Sequence, residues 1–389
     1  VSQLPEQLPE QFPEHIPDAA PVGVGVVGAG MISRSYARHL GRHPEVRLLA
    51  CADIDPERAA ALAALVPGMR VGEVDALLAD PEVEILLNLT RPRDHVAVGL
   101  RALATGCHVY SEKPLAVDRA EARRLVTAAN ASRVRLASAP DTFLSPAFQE
   151  CRRAIDAGLI GRPVSVTAET LCAGPEWWHP DPAFFYHRGG GPLFDMGPYH
   201  LTALVAVLGA VTGVCASATR TWPHRTVTSE PRAGQVIDVE VLTHLCAVLE
   251  FAGGVIGTLT TSFDVATERS RLEIHGSEGT LRCPDPSGYD GPVLLRARGA
   301  TEWTELAGPS STGSRPPVRR GAGVVDLARA LRAGTDHRAN GDLAFHVVDV
   351  MQSILESARD GRRVPVVSDC RRPEPLADPE PASAGQVCP

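Results

Sequence analysis

The chain has 389 residues, 44% hydrophobic and 22% charged. That composition excludes a disordered protein, and the length exceeds one ordinary core and is met most simply by two domains. A formal net charge of −8 argues against nucleic acid or an anionic membrane as the main partner. Nine cysteines are scattered without a CxxC pair or a metal-ligand rhythm, so they read as reduced thiols, and no metal is expected. The first residues lack a basic stretch followed by an apolar core, and no apolar run reaches the length of a membrane span. Together these features lead us to expect a soluble cytoplasmic protein.

Residues 4–19 read LPEQ-LPEQ-FPEH-IPDA, with proline in each unit and no period that could bury a face, so residues 1–20 are expected to be an extended, disordered tail. Structure is expected to start at Pro21. Val22–Val27 is a short apolar run, followed by Gly28-Ala29-Gly30-Met31-Ile32-Ser33 and a helical stretch to about His43: strand, glycine turn, helix. Gly23 and Gly25 complete a literal GxGxxG with Gly28, but they fall inside the strand, where they cannot form the turn. In the working match Gly28 permits the tight turn, Gly30 lets a pyrophosphate approach the backbone, and the helix N-terminus supplies N–H groups. A second strand, Val46–Ala52, ends at Asp53, placed to accept the two hydroxyls of an adenosine ribose. With Ile54 next, this predicts NAD rather than NADP, Arg58 being the nearest basic residue to complicate that reading.

Helices over 55–65, 74–78, 94–105 and 119–131 alternate with strands over 84–89, 108–110 and 133–137, which predicts a doubly wound parallel sheet within residues 21–143. Thr90-Arg91-Pro92 and Ser111-Glu112-Lys113-Pro114 follow strands, at the carboxyl edge where such sheets bind ligands. A helix over 145–158 leads into strand-like runs at 163–172, 212–222, 240–251, 255–263, 271–275 and 293–297. Lacking regular intervening helices, they predict an open, largely antiparallel sheet in a second domain, residues 144–371. A Ser/Gly/Pro/Arg loop over 309–323, helices over 324–333 and 343–358 and a Pro-rich tail over 372–389 complete the chain.

Lys113 is the one lysine among 38 basic residues. In a chain that uses arginine wherever a charge suffices, an amine that can polarise a hydroxyl or exchange a proton is expected to do what a guanidinium cannot. Gly189-Gly190-Gly191-Pro192 leads into an apolar helix on which Asp195 and Tyr199, four apart, share a face, while His200 points elsewhere by about 140°. Taken alone, an aspartate near a helix start is more often a dipole partner than an acid or base. Residues 176–180 and 184–187 form an aromatic-rich insertion that either stacks on sugar C–H faces or packs its own loop. His244, His275 and His346 show no ligand spacing and read as structural.

The glycine turn with Asp53, Glu112-Lys113-Pro114 after a late strand, and the triple glycine before Asp195-x-x-x-Tyr199 together resemble the Gfo/Idh/MocA oxidoreductases, over about residues 21–368. The resemblance implies a Rossmann domain plus an open-sheet domain used for substrate binding and for self-association into a dimer or tetramer. It also implies NAD(P)-linked oxidation or reduction of a sugar or cyclitol hydroxyl by hydride transfer. By it Gly28, Gly30, Met31 and Ile32 hold the pyrophosphate, Asp53 the ribose, and Thr90, Pro92 and His95 the far end of the cofactor pocket. Glu112 and Lys113 lie beside the nicotinamide, with the Lys113-Pro114 bond expected cis. Lys113 binds the reacting hydroxyl, and Asp195 the same hydroxyl or its neighbour. Many members carry His four residues after the Asp, where this chain has Tyr199, with His200 beside it. Tyrosine's ordinary pKa near 10 means that as a base it needs a cation, which Lys113 supplies; the expected proton acceptor is, in order, Tyr199, Lys113, His200. Asp141, Trp178, His179 and His187 are further substrate-pocket candidates, and Asp141 and Asp195 permit an amino sugar or aminoglycoside. A glycosidase that uses tightly held NAD and a non-catalytic NAD-binding regulator are the alternatives; a regulator would have no reason to keep Lys113.

Overall fold

A computed structural model describes residues 20–306 and 318–376. The repeat over 1–19, residues 309–317 of the expected loop and the end of the expected tail, 377–389, lie outside the described residues. Strands β1 (Val22–Val27), β2 (Val46–Ala52), β3 (Arg70–Val71), β4 (Ile85–Asn88), β5 (His108–Ser111) and β6 (Leu136–Ser138) form one parallel sheet in the order β3-β2-β1-β4-β5-β6. β1 is buried along its whole length, as a strand covered on both faces must be. Helices α1 (Ser33–Leu40), α2 (Pro56–Ala63), α3 (Val74–Ala79), α4 (His95–Ala104) and α5 (Arg119–Ser132) make the crossovers. Two of them start where a carboxylate satisfies free N–H groups: Asp55 accepts from Glu57 and Arg58, and Asp118 from Glu121. The doubly wound sheet is therefore as expected, with β3 an addition too short to show a period.

Helix α6 (Pro146–Asp156), capped by Ser145, leads into a second sheet. Its strands are β7 (Pro163–Leu171), β8 (Val211–Thr219), β11 (His244–Phe251), β12 (Ile256–Ser262), β13 (Arg269–Gly276), β14 (Gly279–Cys283), β15 (Leu294–Ala297), β16 (Thr304–Glu305) and β17 (Val364–Pro365). They run in the order β16-β15-β14-β13-β7-β12-β11-β8-β17. Every neighbouring pair is antiparallel except β7 with β12. Burial alternates along β7 and β11, so one face is covered and the other open. The runs expected over 212–222 and 240–251 stop at Thr219 and start at His244, because the chain between forms a separate hairpin, β9 (His224–Thr226) with β10 (Val236–Asp238). That hairpin closes a small second core of Phe185, Tyr186, Val227, Ile237, Val239 and Phe263.

Helices α7 (Gly191–Leu208), α8 (Ala322–Ala333) and α9 (Gly341–Asp360) bind the sheets together. On α9, His346 accepts the Val211 N–H and Ser357 that of Ala216; Asp349 and Glu356 of the same helix pair with Arg119 of α5. α8 returns to the first sheet, where Arg329 pairs with Glu45. The start of the expected C-terminal tail is not tail-like: Arg372 pairs with Asp156 and the Leu376 N–H donates to Gln149, both on α6. Among the described residues no helix is long and apolar enough to cross a membrane, and no group of three or more His, Cys, Asp or Glu is placed to hold a metal ion.

Candidate active site

The glycine turn sits where β1 meets α1. Gly28 has φ +99°, and a Cβ there would lie 2.6 Å from the Leu89 carbonyl group, so the turn tolerates only glycine. Around Gly30 the space is open for 4 Å, which leaves the backbone approachable by a phosphate. Met31 is exposed and Ile32 half-buried on the same turn. Asp53 braces it: one carboxylate oxygen accepts the Ala29 N–H at 2.6 Å, the other the Asp55 N–H at 2.8 Å. Beside it lies a cleft of about 320 Å³ lined by Ala29, Ser33, Arg34, Asp55 and Arg58. Glycine turn, open backbone and acidic strand end fit a dinucleotide.

At the far end of the sheet the strand ends stay joined beyond the strands. Glu112 N–H donates to the Asn88 carbonyl and Ala139 N–H to that of Ser111, each at 2.8 Å. This brings the Thr90-Arg91-Pro92 turn, the Glu112-Lys113-Pro114 turn and the segment after β6 side by side. The Lys113-Pro114 bond is cis. His95 is fully buried with its ring nitrogens 2.7 Å from the Pro114 carbonyl and 3.0 Å from that of Thr90. It braces these two turns.

Lys113 crosses to the second domain. Its Nζ donates to Oδ1 of Asp195 at 2.7 Å and to the Asp195 main-chain carbonyl at 2.6 Å, and lies 5.0 Å from the centre of the Tyr199 ring. Pro198, inside α7, has no N–H for the Phe194 carbonyl; the next carbonyl along is the one Lys113 reaches. Burial works against the ammonium, but Asp195, Tyr199 and Glu112 outweigh it and hold the lysine above its usual range. Lys113 is therefore charged at neutral pH. Glu112 is buried as well: burial pushes its carboxyl up, yet Arg320, Lys113 and its hydrogen bonds bring it below the usual range.

Two sequence candidates fall outside this cluster. Asp141 is 1% exposed with both oxygens engaged, by Tyr289 on one side and by Tyr110 and the N–H groups of Gly321 and Gly323 on the other. It is a buried brace between β6, β5 and the start of α8. His200 is fully buried, and its Nδ1 lies 3.5 Å from the Met196 carbonyl of its own helix; it turns away from Lys113, as the helical angle requires. Part of the aromatic insertion packs its own loop and part stays open. Phe185 and Tyr186 are core, while Trp178 is 49% exposed and packs edge-on against His179, which meets Phe184 and Phe185 edge-on in turn. Arg91 ties this segment to the Thr90 turn through Asp181 at 2.9 Å. His187 is half-buried in the turn before α7.

Sequence reading missed Arg320. Its Nη1 lies 3.2 Å from Oε1 of Glu112 and 3.3 Å from the Tyr199 hydroxyl. Within a Ser/Gly/Pro/Arg stretch of an arginine-rich chain, nothing local marks it out.

Comparison with known proteins agrees with this geometry. Residues 22–139 match the model of an oxidoreductase family with an NAD-binding Rossmann fold, and residues 148–282 that of the GFO/IDH/MocA C-terminal domain. The trans-1,2-dihydrobenzene-1,2-diol dehydrogenase of Bos taurus is 28% identical over 312 residues, 79% of this chain and 86% of its own. An inositol 2-dehydrogenase of Rhizobium meliloti is 25% identical over 260 residues, 66% and 74% of the two chains. Levoglucosan dehydrogenase in complex with NADH and L-sorbose has the same fold, with a TM-score of 0.75 at 20% identity over 89% of this chain and 99% of its own. Two contiguous domain matches, over a sheet pair that brings the lone lysine against an aspartate and a tyrosine, make the chain a member of the Gfo/Idh/MocA family of nicotinamide-dependent oxidoreductases.

Proposed function

We propose that this enzyme uses NAD to oxidise a secondary ring hydroxyl of a sugar or cyclitol to a ketone, or to reverse that step, with residues 21–143 holding the cofactor and residues 144–371 the substrate. The observation that carries the reading is the meeting of Lys113 with Asp195 and Tyr199 at the carboxyl edge of the cofactor sheet. The names of its relatives, an inositol and a dihydrodiol dehydrogenase, support a vicinal hydroxyl as the target. When bound, the nicotinamide accepts the hydride. Lys113 has three N–H donors; two point at Asp195, and the third is free to bind the reacting hydroxyl. Asp195 fixes the ammonium and accepts from a neighbouring hydroxyl. Since Lys113 is held charged and His200 faces away, Tyr199 takes the hydroxyl proton. Trp178 and His179 offer a face for the ring.

NAD over NADP is supported by the carboxylate of Asp53 at the end of β2, which would repel a 2′-phosphate, and by the pairing of Arg58 with Asp55 at 3.0 Å. Self-association suits the open face of the second sheet, where Val248 and Ile256 are exposed and Cys215 lies opposite Val248. The free thiols among the described cysteines suit a cytoplasmic setting. The test is reduced-nicotinamide absorbance with NAD and, separately, NADP against inositols, aldoses, glycosides, sugar phosphates and nucleotide sugars. The expected result is reduction of NAD by at least one polyol, with Asp53→Ala narrowing the gap to NADP. Glycoside cleavage without net reduction would instead select the glycosidase reading, and silence with NAD tightly bound the regulator.

A further inference from the structure

We propose that Arg320 is a positioning residue that readies Tyr199 to take the proton, by placing a fixed positive charge at its hydroxyl oxygen. The inference rests on the reading of Tyr199 as proton acceptor, and it starts from a contrast among the five tyrosines of the chain. Four of the hydroxyls donate to a carboxylate: Tyr36 to Glu112 at 2.9 Å, Tyr110 to Asp141 at 3.1 Å, Tyr289 to Asp141 and Tyr186 to Glu176. A carboxylate acceptor favours the protonated phenol. Burial first, and these carboxylates after it, hold all four above the ordinary tyrosine range. Tyr199 differs in kind: its oxygen accepts from a guanidinium.

Of the charges around Tyr199, Arg320 is the one that meets its oxygen. Asp195, one turn back on α7, is neutralised by Lys113, whose Nζ sits over the ring and not at the oxygen. Glu112 pairs with the same Arg320 nitrogen that reaches Tyr199; Tyr36, Tyr289 and Asp141 are the other titratable groups that act on this guanidinium. Arg320 is itself held from behind. The N–H groups of Gly321 and Gly323 donate to Asp141 at 2.9 Å each, and Tyr110 and Tyr289 fix that carboxylate, so the buried aspartate anchors the arginine that reaches the site. One guanidinium nitrogen, Nη1, addresses Glu112 and Tyr199 at once. Cofactor edge, acceptor hydroxyl and second domain are thereby joined at one side chain.

The test compares wild type, Arg320→Gln, Arg320→Lys and Tyr199→Phe as full-length protein without ligand. The first readout is near-ultraviolet phenolate absorbance as pH is raised. One phenolate is expected to appear ahead of the others in wild type, to be missing in Tyr199→Phe, to come about one pH unit or more later in Arg320→Gln, and to be partly restored in Arg320→Lys. The second readout is kcat/KM for oxidation, expected to fall about tenfold or more in Arg320→Gln near neutrality and to converge on wild type toward about pH 10, where an ordinary tyrosine ionises unaided. Identical phenolate curves in wild type and both Arg320 variants, or a deficit constant across pH, would overturn the proposal. Because the phenolate signal needs no substrate, its failure is distinct from failure of the dehydrogenase reading, which shows as absence of reduction with every polyol. Arg320→Lys keeps a charge over a similar reach and decides the matter should Arg320→Gln fold poorly.

Discussion

Replacing Lys113 with alanine is expected to lower kcat for polyol oxidation by about 10³-fold or more, with NAD binding retained. The ammonium does two things at once: it holds Asp195 by side chain and main chain, and it offers a donor to the oxygen on which negative charge develops. Removal of one such donor costs about 10²–10³-fold, and disorder of Asp195 adds to it. Truncation also leaves the Asp195 carboxylate, 22% exposed, without its cation; the partial exposure limits the cost in stability to roughly 1–3 kcal/mol. Lys113→Arg is not expected to restore activity, since a planar guanidinium cannot occupy the point position 2.7 Å from Oδ1 and 2.6 Å from the carbonyl. Steady-state kinetics with fluorescence-monitored NAD binding separates the two effects. Turnover within a few-fold of wild type would remove Lys113 from the mechanism.

Tyr199→Phe is expected to lower kcat by about 10²–10⁴-fold, the range for loss of a positioned acid or base, while changing stability by less than about 1 kcal/mol. The difference follows from the surroundings: the ring is 5% exposed and keeps its packing, whereas among the described residues the hydroxyl makes one hydrogen bond, to Arg320 at 3.3 Å. KM is expected to change little, because Lys113 and Asp195 still hold the substrate. Unchanged turnover would shift the acceptor role to a water or to the substrate's own neighbouring hydroxyl.

The cofactor half was legible because its signals are local. A glycine turn between an apolar run and a helix, a strand ending at Asp53, and two turns after strands each follow from a few adjacent residues. Lys113 stood out only by scarcity, and its partner Asp195 only through the spacing to Tyr199. The parallel pairing of β7 with β12 has no signal in either strand alone, and β14 hides behind the Gly276-to-Gly279 turn. Asp141 looked like a free acid at a sheet edge because its donors lie 31 to 182 residues away. Arg320 was invisible for the opposite reason: a functional arginine among 38 basic residues of which one is lysine carries no contrast. Long-range partners, not composition, decided which acidic and basic groups face the site.

The most direct test follows the hydrogen itself. The polyol that reduces NAD, carrying deuterium at the reacting carbon, is incubated with the enzyme and the reduced cofactor is recovered for mass spectrometry. One deuterium per reduced nicotinamide is the expected result, since the hydride passes from that carbon while Tyr199 takes only the hydroxyl proton. Deuterium retained in the product, or released to water with none on the nicotinamide, would contradict the account.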